Sequence, residues 1–298
     1  METLESAVEH YERQSLIAAL GLAGARRAGT PERVLSVVTA AQMAAVEESE
    51  RAVEAMLTEQ GIDARSEFTV SPSSLAGVAS DGRDLASLLA LADTAARFDL
   101  IVETQLADVG RHATAAAMGA RPQVTGYVRM VEPGACSRCI ILAGRWYRWS
   151  AGFDRHPSCR CTHIPSNEDA PGDLRTDPNA MFEAMSQADQ DRAFGVAGAE
   201  AIRQGADMNQ VVNARRGMAP AQLAGRDVLT TSEGVTRRGE AYAAMKGRGV
   251  VDAGVDVRGA GDRYRRVARA RLMPETILEI ASDREDAARL LSLYGYIR

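Results

Sequence analysis

Lysine is all but missing from this chain of 298 residues: Lys246 is the only one, and every other basic side chain is an arginine. With abundant alanine, glycine and valine, that bias reads as GC-rich coding. No run of eighteen apolar residues occurs, which excludes a membrane-spanning helix and leaves no membrane partner to expect. No secretory signal peptide is recognisable, and four cysteines are sparse for a disulfide scaffold. The formal net charge of −5 argues against wholesale nucleic-acid binding. Neither G-x-S-x-G nor H-E-x-x-H is present, so the usual serine-hydrolase elbow and zinc-protease helix are both absent.

What is scarce is also concentrated. All four cysteines (Cys136, Cys139, Cys159, Cys161), two of four histidines (His156, His163) and both tryptophans (Trp146, Trp149) lie between Cys136 and His163. Cys136 and Cys139 form a C-x-x-C pair, and His156 and Cys159 repeat the same spacing. Two such turns suit the tetrahedral preference of zinc, with Zn–S at about 2.3 Å. The first-choice set is Cys136, Cys139, His156 and Cys159, with Cys161 as substitute. An extended run from Cys159 through Cys161 to His163 presents all three to one face, which leaves the fourth ligand open. A filled set has no place for an activated water, so the metal is expected to be structural, with Trp146, Tyr147, Trp149 and Phe153 packed over it. A disulfide framework, a thioredoxin-like redox pair and buried free cysteines are the competing readings.

Hydrophobic spacing makes the rest mainly α, an α+β class with helical N- and C-terminal parts around a small β-rich, zinc-stapled insert. The divisions fall at 1–82, 83–165 and 166–298. Leu4, Val8, Tyr11 and Leu16 begin a helical region to about residue 60, recapped at Thr30-Pro31. Glu47, Glu48, Glu50, Glu54 and Glu59 read as its solvated side. Asp84 caps a helix from about Leu85 to Met118, on which Glu103, Asp108 and His112 share part of a face. Val124–Met130 alternates as a strand, followed by a small hairpin around Gly144. Pro165 to Pro178 reads as a linker and Met181 to Gly205 as a helix. A short helix follows from Asp207 to Arg216, then an irregular stretch from Thr230 to Gly259. Arg263–Arg271 reads as a helix, and Pro274–Tyr294 as the last one. Between Arg237 and Arg271 stand ten basic and four acidic residues. Such a stretch is a solvated face or a set of phosphate contacts for DNA.

The order C-x-x-C, I-L-A-G-R, an aromatic run, F-x-R-H-P-x-C-R-C and a closing I-P resembles the phage Mu protein F-like family. Members are minor head, or head morphogenesis, proteins of tailed bacteriophages. His156, Pro157, Cys159 and Arg160 carry the most telling element. Arg121-Pro122 through Gly126–Arg129, and Val211–Met218, resemble the version found in phages of actinobacteria. The resemblance covers about residues 90 to 170. It implies a minor capsid protein in the virion, at the capsid interior or portal vertex, after assembly in the host cytoplasm. Its partners would be the portal protein and the major capsid or scaffold protein, and its role head assembly or DNA ejection. No established enzymatic activity is implied; the alternative is a capsid maturation protease.

Overall fold

Threonine hydroxyls open the two longest helices. Thr30 accepts a hydrogen bond from the Arg33 N–H at 3.4 Å, with Pro31 in the first turn, and starts α2 (Pro31–Glu59). Thr94 accepts from Arg97 N–H at 3.2 Å and starts α5 (Ala95–Gly119). Helix α1 (Glu5–Arg27) has no side-chain cap of its own. Glu59, at the end of α2, accepts from the backbone N–H groups of Glu5 (2.8 Å) and Ser6 (3.0 Å) instead.

The computed structural model describes residues 4–131, 134–152, 156, 159, 161–167, 177–236, 238–249, 256–257, 266–267 and 271–297, with backbone only at 256–257 and 266–267. They form a mainly helical α+β fold with two three-stranded sheets and a two-stranded ribbon. Two units are distinct: Met1–Ala135 with Leu142–Pro178, and Cys136–Ile141 with Asn179–Arg298.

In the first unit α1, α2 and α5 pack on one another, joined by the short α3 (Pro72–Leu75) and α4 (Leu85–Leu89). The expected apolar stripe of α1 faces inward only in part, with Leu4 and Tyr11 packed against the core. Val8 and Leu16 are exposed, and Ala7, Gly21 and Ala25 are buried. Small residues bring backbones close: a Cβ on Gly21 would lie 2.8 Å from both Ala41 Cβ and Leu106 Cδ1. The acidic side of α2 also has an exception, because Glu48 is buried beside His10 and the guanidinium groups of Arg13 and Arg51. The single helix expected over Leu85–Met118 is interrupted between Leu89 and Ala95, where Thr94 supplies the new cap.

The first sheet has the order β2 (Trp146–Arg148), β1 (Gly126–Val131), β3 (Cys161–Ser166), antiparallel throughout. Its centre, β1, is the strand expected from the alternation after Val124. Val128 and Met130 pack with Ala7, Ala52, Met56 and Ile164, whereas Tyr127 joins the α2–α5 core. Arg145 to Trp149 does not fold back on Ile140–Leu142 as expected. Ser137–Ile140 is instead one helical turn, α6, and β2 pairs with β1. Pro165 lies in β3 rather than in a linker. Gly126 sits where a Cβ would overlap the Tyr147 carbonyl and approach Trp146 Cζ2 to 2.6 Å. Gly126→Ala is therefore expected to destabilise the chain by about 1–3 kcal/mol, read as a lower unfolding midpoint in denaturant.

The second unit begins with α7 (Pro178–Ala184), α8 (Gln187–Phe194) and α9 (Val196–Arg203). The sequence read most of this region as one helix. A Ser186 cap starts α8 afresh, and Gly195, at φ +72°, ends it. The expected short helix follows as α10 (Met208–Ala214), with a 3₁₀ turn at Arg215–Gly217. Strands β4 (Met218–Leu223) and β5 (Arg226–Thr231) pair with β8 (Arg271–Leu272) in the order β4-β5-β8. Helix α11 (Glu240–Gly247) lies within the stretch read as irregular, and β6 (Asp256–Val257) pairs with β7 (Arg266–Val267). Strands at 266–267 and 271–272 correct the helix expected over Arg263–Arg271; Arg263, Arg265 and Arg269 lie outside the described residues. The last expected helix is two, α12 (Pro274–Ile280) and α13 (Arg284–Leu293), because Asp283 caps a new start.

Arg271 is part of this unit's interior, 1% exposed, although its position in an arginine run suggested a solvated side chain. Its guanidinium donates to the carbonyls of Tyr294 (2.9 Å), Glu233 (3.0 Å) and Gly295 (3.4 Å) and to Gln210 Oε1 (3.1 Å). It also lies 4.1 Å from the centre of the Tyr296 ring. The Tyr296 hydroxyl is fully buried and donates to Leu272 O at 3.0 Å. Burial pushes the phenol pKa up, and the Arg271 charge only partly opposes this. Above the ordinary phenol value near 10, the unfolded chain loses this proton while the folded chain keeps it. Stability should fall by about 1.4 kcal/mol per pH unit on that account, and Tyr296→Phe should flatten the slope. Urea unfolding at pH 9, 10 and 11 measures it.

Candidate metal centre

Two short turns shape the cysteine segment. Gly134, at φ +82°, makes the bend that leads into Cys136. Cys136 then precedes the turn of α6, and the Cys139 N–H donates to Cys136 O at 2.9 Å. The two sulfurs end 3.8 Å apart. A tetrahedral zinc with Zn–S of about 2.3 Å requires an S···S edge of about 3.8 Å, so this pair has the geometry of two ligands on one ion. Around the second spacing, Cys159 N–H donates to His156 O at 3.2 Å, and Cys161 opens β3 opposite Val131.

Two groups of potential ligand atoms lie within 4.8 Å of one another: Cys136, Cys139 and His156, and Cys139, Cys159 and Cys161. Every residue of the expected set is in one of them, and Cys139 is in both. No disulfide joins the four cysteines, of which Cys139, Cys159 and Cys161 are buried and Cys136 is half-buried. This Cys/His cluster is able to bind a metal. His163 belongs to neither group. It is buried edge-on against Tyr127, with ring centres 4.5 Å apart. Its pKa is pushed down to about 3 by burial first, then by Arg111 and Arg129, so its imidazole is neutral.

Two arginines that the sequence did not single out support this segment. Arg111, on α5, donates to Cys161 O at 2.9 Å, to Cys159 O, and to Asp108 Oδ1 at 3.0 Å. One guanidinium thus ties two cysteine carbonyls to the helix. Arg129, buried on β1, lies 4.0 Å from Cys159 Sγ. Both offset negative charge that a thiolate set would carry. Their position depends on β3 pairing with β1 beside α5, which no local pattern encodes. Asp108 is engaged by Arg111. With Glu103 and His112 it forms no potential metal group among the described residues.

The aromatic residues take different places from those expected. Trp146 packs with Val128, Met130 and Ile164, Tyr147 stacks on Tyr127 at 5.2 Å, and Trp149 is half exposed. They belong to the sheet and helical core. Phe153, Pro157 and Arg160 lie outside the described residues.

A family model described as VG15 protein matches residues 4–188, which include the whole cysteine segment and leave out Arg237–Arg271. No curated protein and no solved structure matches the chain. With well over half of its length matched, the chain belongs to the VG15 protein family, a viral gene family that points to a phage protein.

Proposed function

We propose that the chain is a minor capsid protein of the head morphogenesis type, of the Mu protein F-like kind, carried in the virion of a tailed phage. In this reading it sits at the portal vertex or head interior, meets the portal protein and the major capsid or scaffold protein, and acts in head assembly or DNA ejection. The observation that carries the reading is the cysteine segment: a C-x-x-C pair at metal-ligand separation, inside the region matched by a viral family. A structural zinc held by Cys136, Cys139, His156 and Cys159, with Cys161 as substitute, fits this donor set. Thiolate and imidazole ligands suit zinc, and a complete protein set leaves no open position for an activated water. Bound there, the ion would cross-link a segment that has little apolar surface of its own to bury. Contact with packaged DNA through the arginine-rich 237–271 stretch would use exposed side chains such as Arg238 and Arg248, and not the buried Arg271.

Quantitative mass spectrometry of purified mature particles tests the proposal. A few full-length copies per particle are expected. Absence of the chain from particles, together with a trimmed capsid-protein N-terminus, would replace this reading with a capsid maturation protease.

A further inference from the structure

A cleft of about 510 Å³ opens in the first unit, between α1, α5 and the start of β3. That size suits a ligand of several heavy atoms. Small side chains (Ala18, Ala19 and Ala107) form part of its wall, and its polar lining mixes the hydroxyls of Tyr11, Ser15 and Thr162 with the carboxylates of Glu12 and Glu103. His10 lines it at 2% exposure. Among the described residues His10 Nδ1 makes no hydrogen bond; it lies 3.6 Å from Glu48 Oε1, an ion-pair separation when the ring is protonated. Gln14 commits its amide N–H groups to Ala45 O (2.8 Å) and Ser49 Oγ (3.0 Å), so Oε1 is what it has left to offer. That oxygen lies against Gly110, where a Cβ would come within 2.9 Å of it.

Glu12 and Glu103 add two exposed carboxylates. The cationic side chain in the lining, Arg111, has its donors engaged by Asp108 and the carbonyls of Cys159 and Cys161. Arg26, whose charge reaches Glu103, is held in a two-point pair by Asp99 at 2.6 and 2.9 Å. Two carboxylates and an amide oxygen therefore line a largely apolar space, and a buried imidazole nitrogen in its lining has no hydrogen-bond partner among the described residues.

We propose that this cleft binds a cationic hydrogen-bond donor on an apolar stem: an arginine or lysine side chain presented by a protein partner, or a free guanidine or amine of the same chemistry. The apolar stem covers the alanines, and the cation meets Glu12 and Glu103. Cys159 and Cys161 also line the cleft, but the acceptors invoked here belong to α1 and α5.

Calorimetry on the full chain tests it with three probes: N-acetyl-leucyl-arginine amide, its citrulline counterpart, and agmatine. The arginine peptide should bind at least about fivefold more tightly than the neutral, nearly isosteric citrulline peptide. Glu12→Gln with Glu103→Gln should remove that preference, and Ala19→Trp should block the cleft from its exposed rim. Circular dichroism confirms that each variant is folded. Binding of the peptide but not agmatine assigns the site to a protein partner, and the reverse assigns it to a small cation. Equal binding of the arginine and citrulline peptides, unchanged binding in the double variant, or no heat from either cationic probe overturns the proposal.

Discussion

Cys139→Ser is expected to take the purified chain from about one zinc per molecule to background, and Cys136→Ser to do the same. Cys139 is the residue common to both ligand groups, so no rearrangement among His156, Cys159 and Cys161 compensates for its loss. Removing a mere outer-shell partner of a zinc site costs about 10–100-fold in affinity, and loss of a direct ligand should exceed that. The measurement is competition against a chromophoric chelator, with near-ultraviolet circular dichroism of Trp146 and Tyr147 reporting the fold of the segment. Cys159→Ser and Cys161→Ser, compared in the same assay, identify the fourth ligand as whichever costs more. A wild-type chain that carries no zinc and takes none up at micromolar concentrations would sink the metal reading.

Arg271→Met should destabilise the chain by about 3–5 kcal/mol. Methionine fills similar volume, but it leaves the carbonyls of Tyr294, Glu233 and Gly295 without the donors they now have. Those acceptors are drawn from the β5–α11 connection and the C-terminal turn, so one side chain holds together segments distant in sequence. Arg271→Lys should recover only part of the loss, because an ammonium lacks the planar fork that spans these directions. Denaturant unfolding followed at 222 nm gives the number. A change below about 1 kcal/mol for Met would show that the guanidinium merely breaks even against the cost of burying its charge.

The metal-binding pattern was legible because coordination chemistry fixes its spacing locally. Cys136 and Cys139 need only one turn of chain to meet, whereas His156 and Cys159, despite the same spacing, fall in different ligand groups. The helical start at Thr30-Pro31 and the strand after Val124 were legible for the same reason. Misreadings arose where tertiary contact overrode local pattern. Val8 and Leu16 mark an apolar stripe, yet the close approach of α1 to its neighbours selects the face bearing Ala7, Gly21 and Ala25. Arg271 looked like one more member of a basic run, and only strand pairing with Thr231 carries it into the interior. Arg111 and Arg129 gave no local signal, since their partners, two carbonyls and a thiol at Cys159 and Cys161, lie far along the chain. Helices expected to be continuous were divided by single residues, Thr94, Gly195 and Asp283, whose capping or backbone preferences outweigh the apolar periodicity around them.

The Gln60 carboxamide, at the end of α2, donates to Pro165 O at 2.8 Å and accepts from the Ser166 hydroxyl at 2.7 Å. Those partners lie 105 and 106 positions further along the chain. The α1–α2–α5 bundle is already encoded by Gly119, so its contacts have been synthesised before β3 emerges from the ribosome. Closure of so large a loop is an entropic barrier that the helical bundle does not face. Folding of this unit is therefore expected to bring the helices together before β3 joins the sheet.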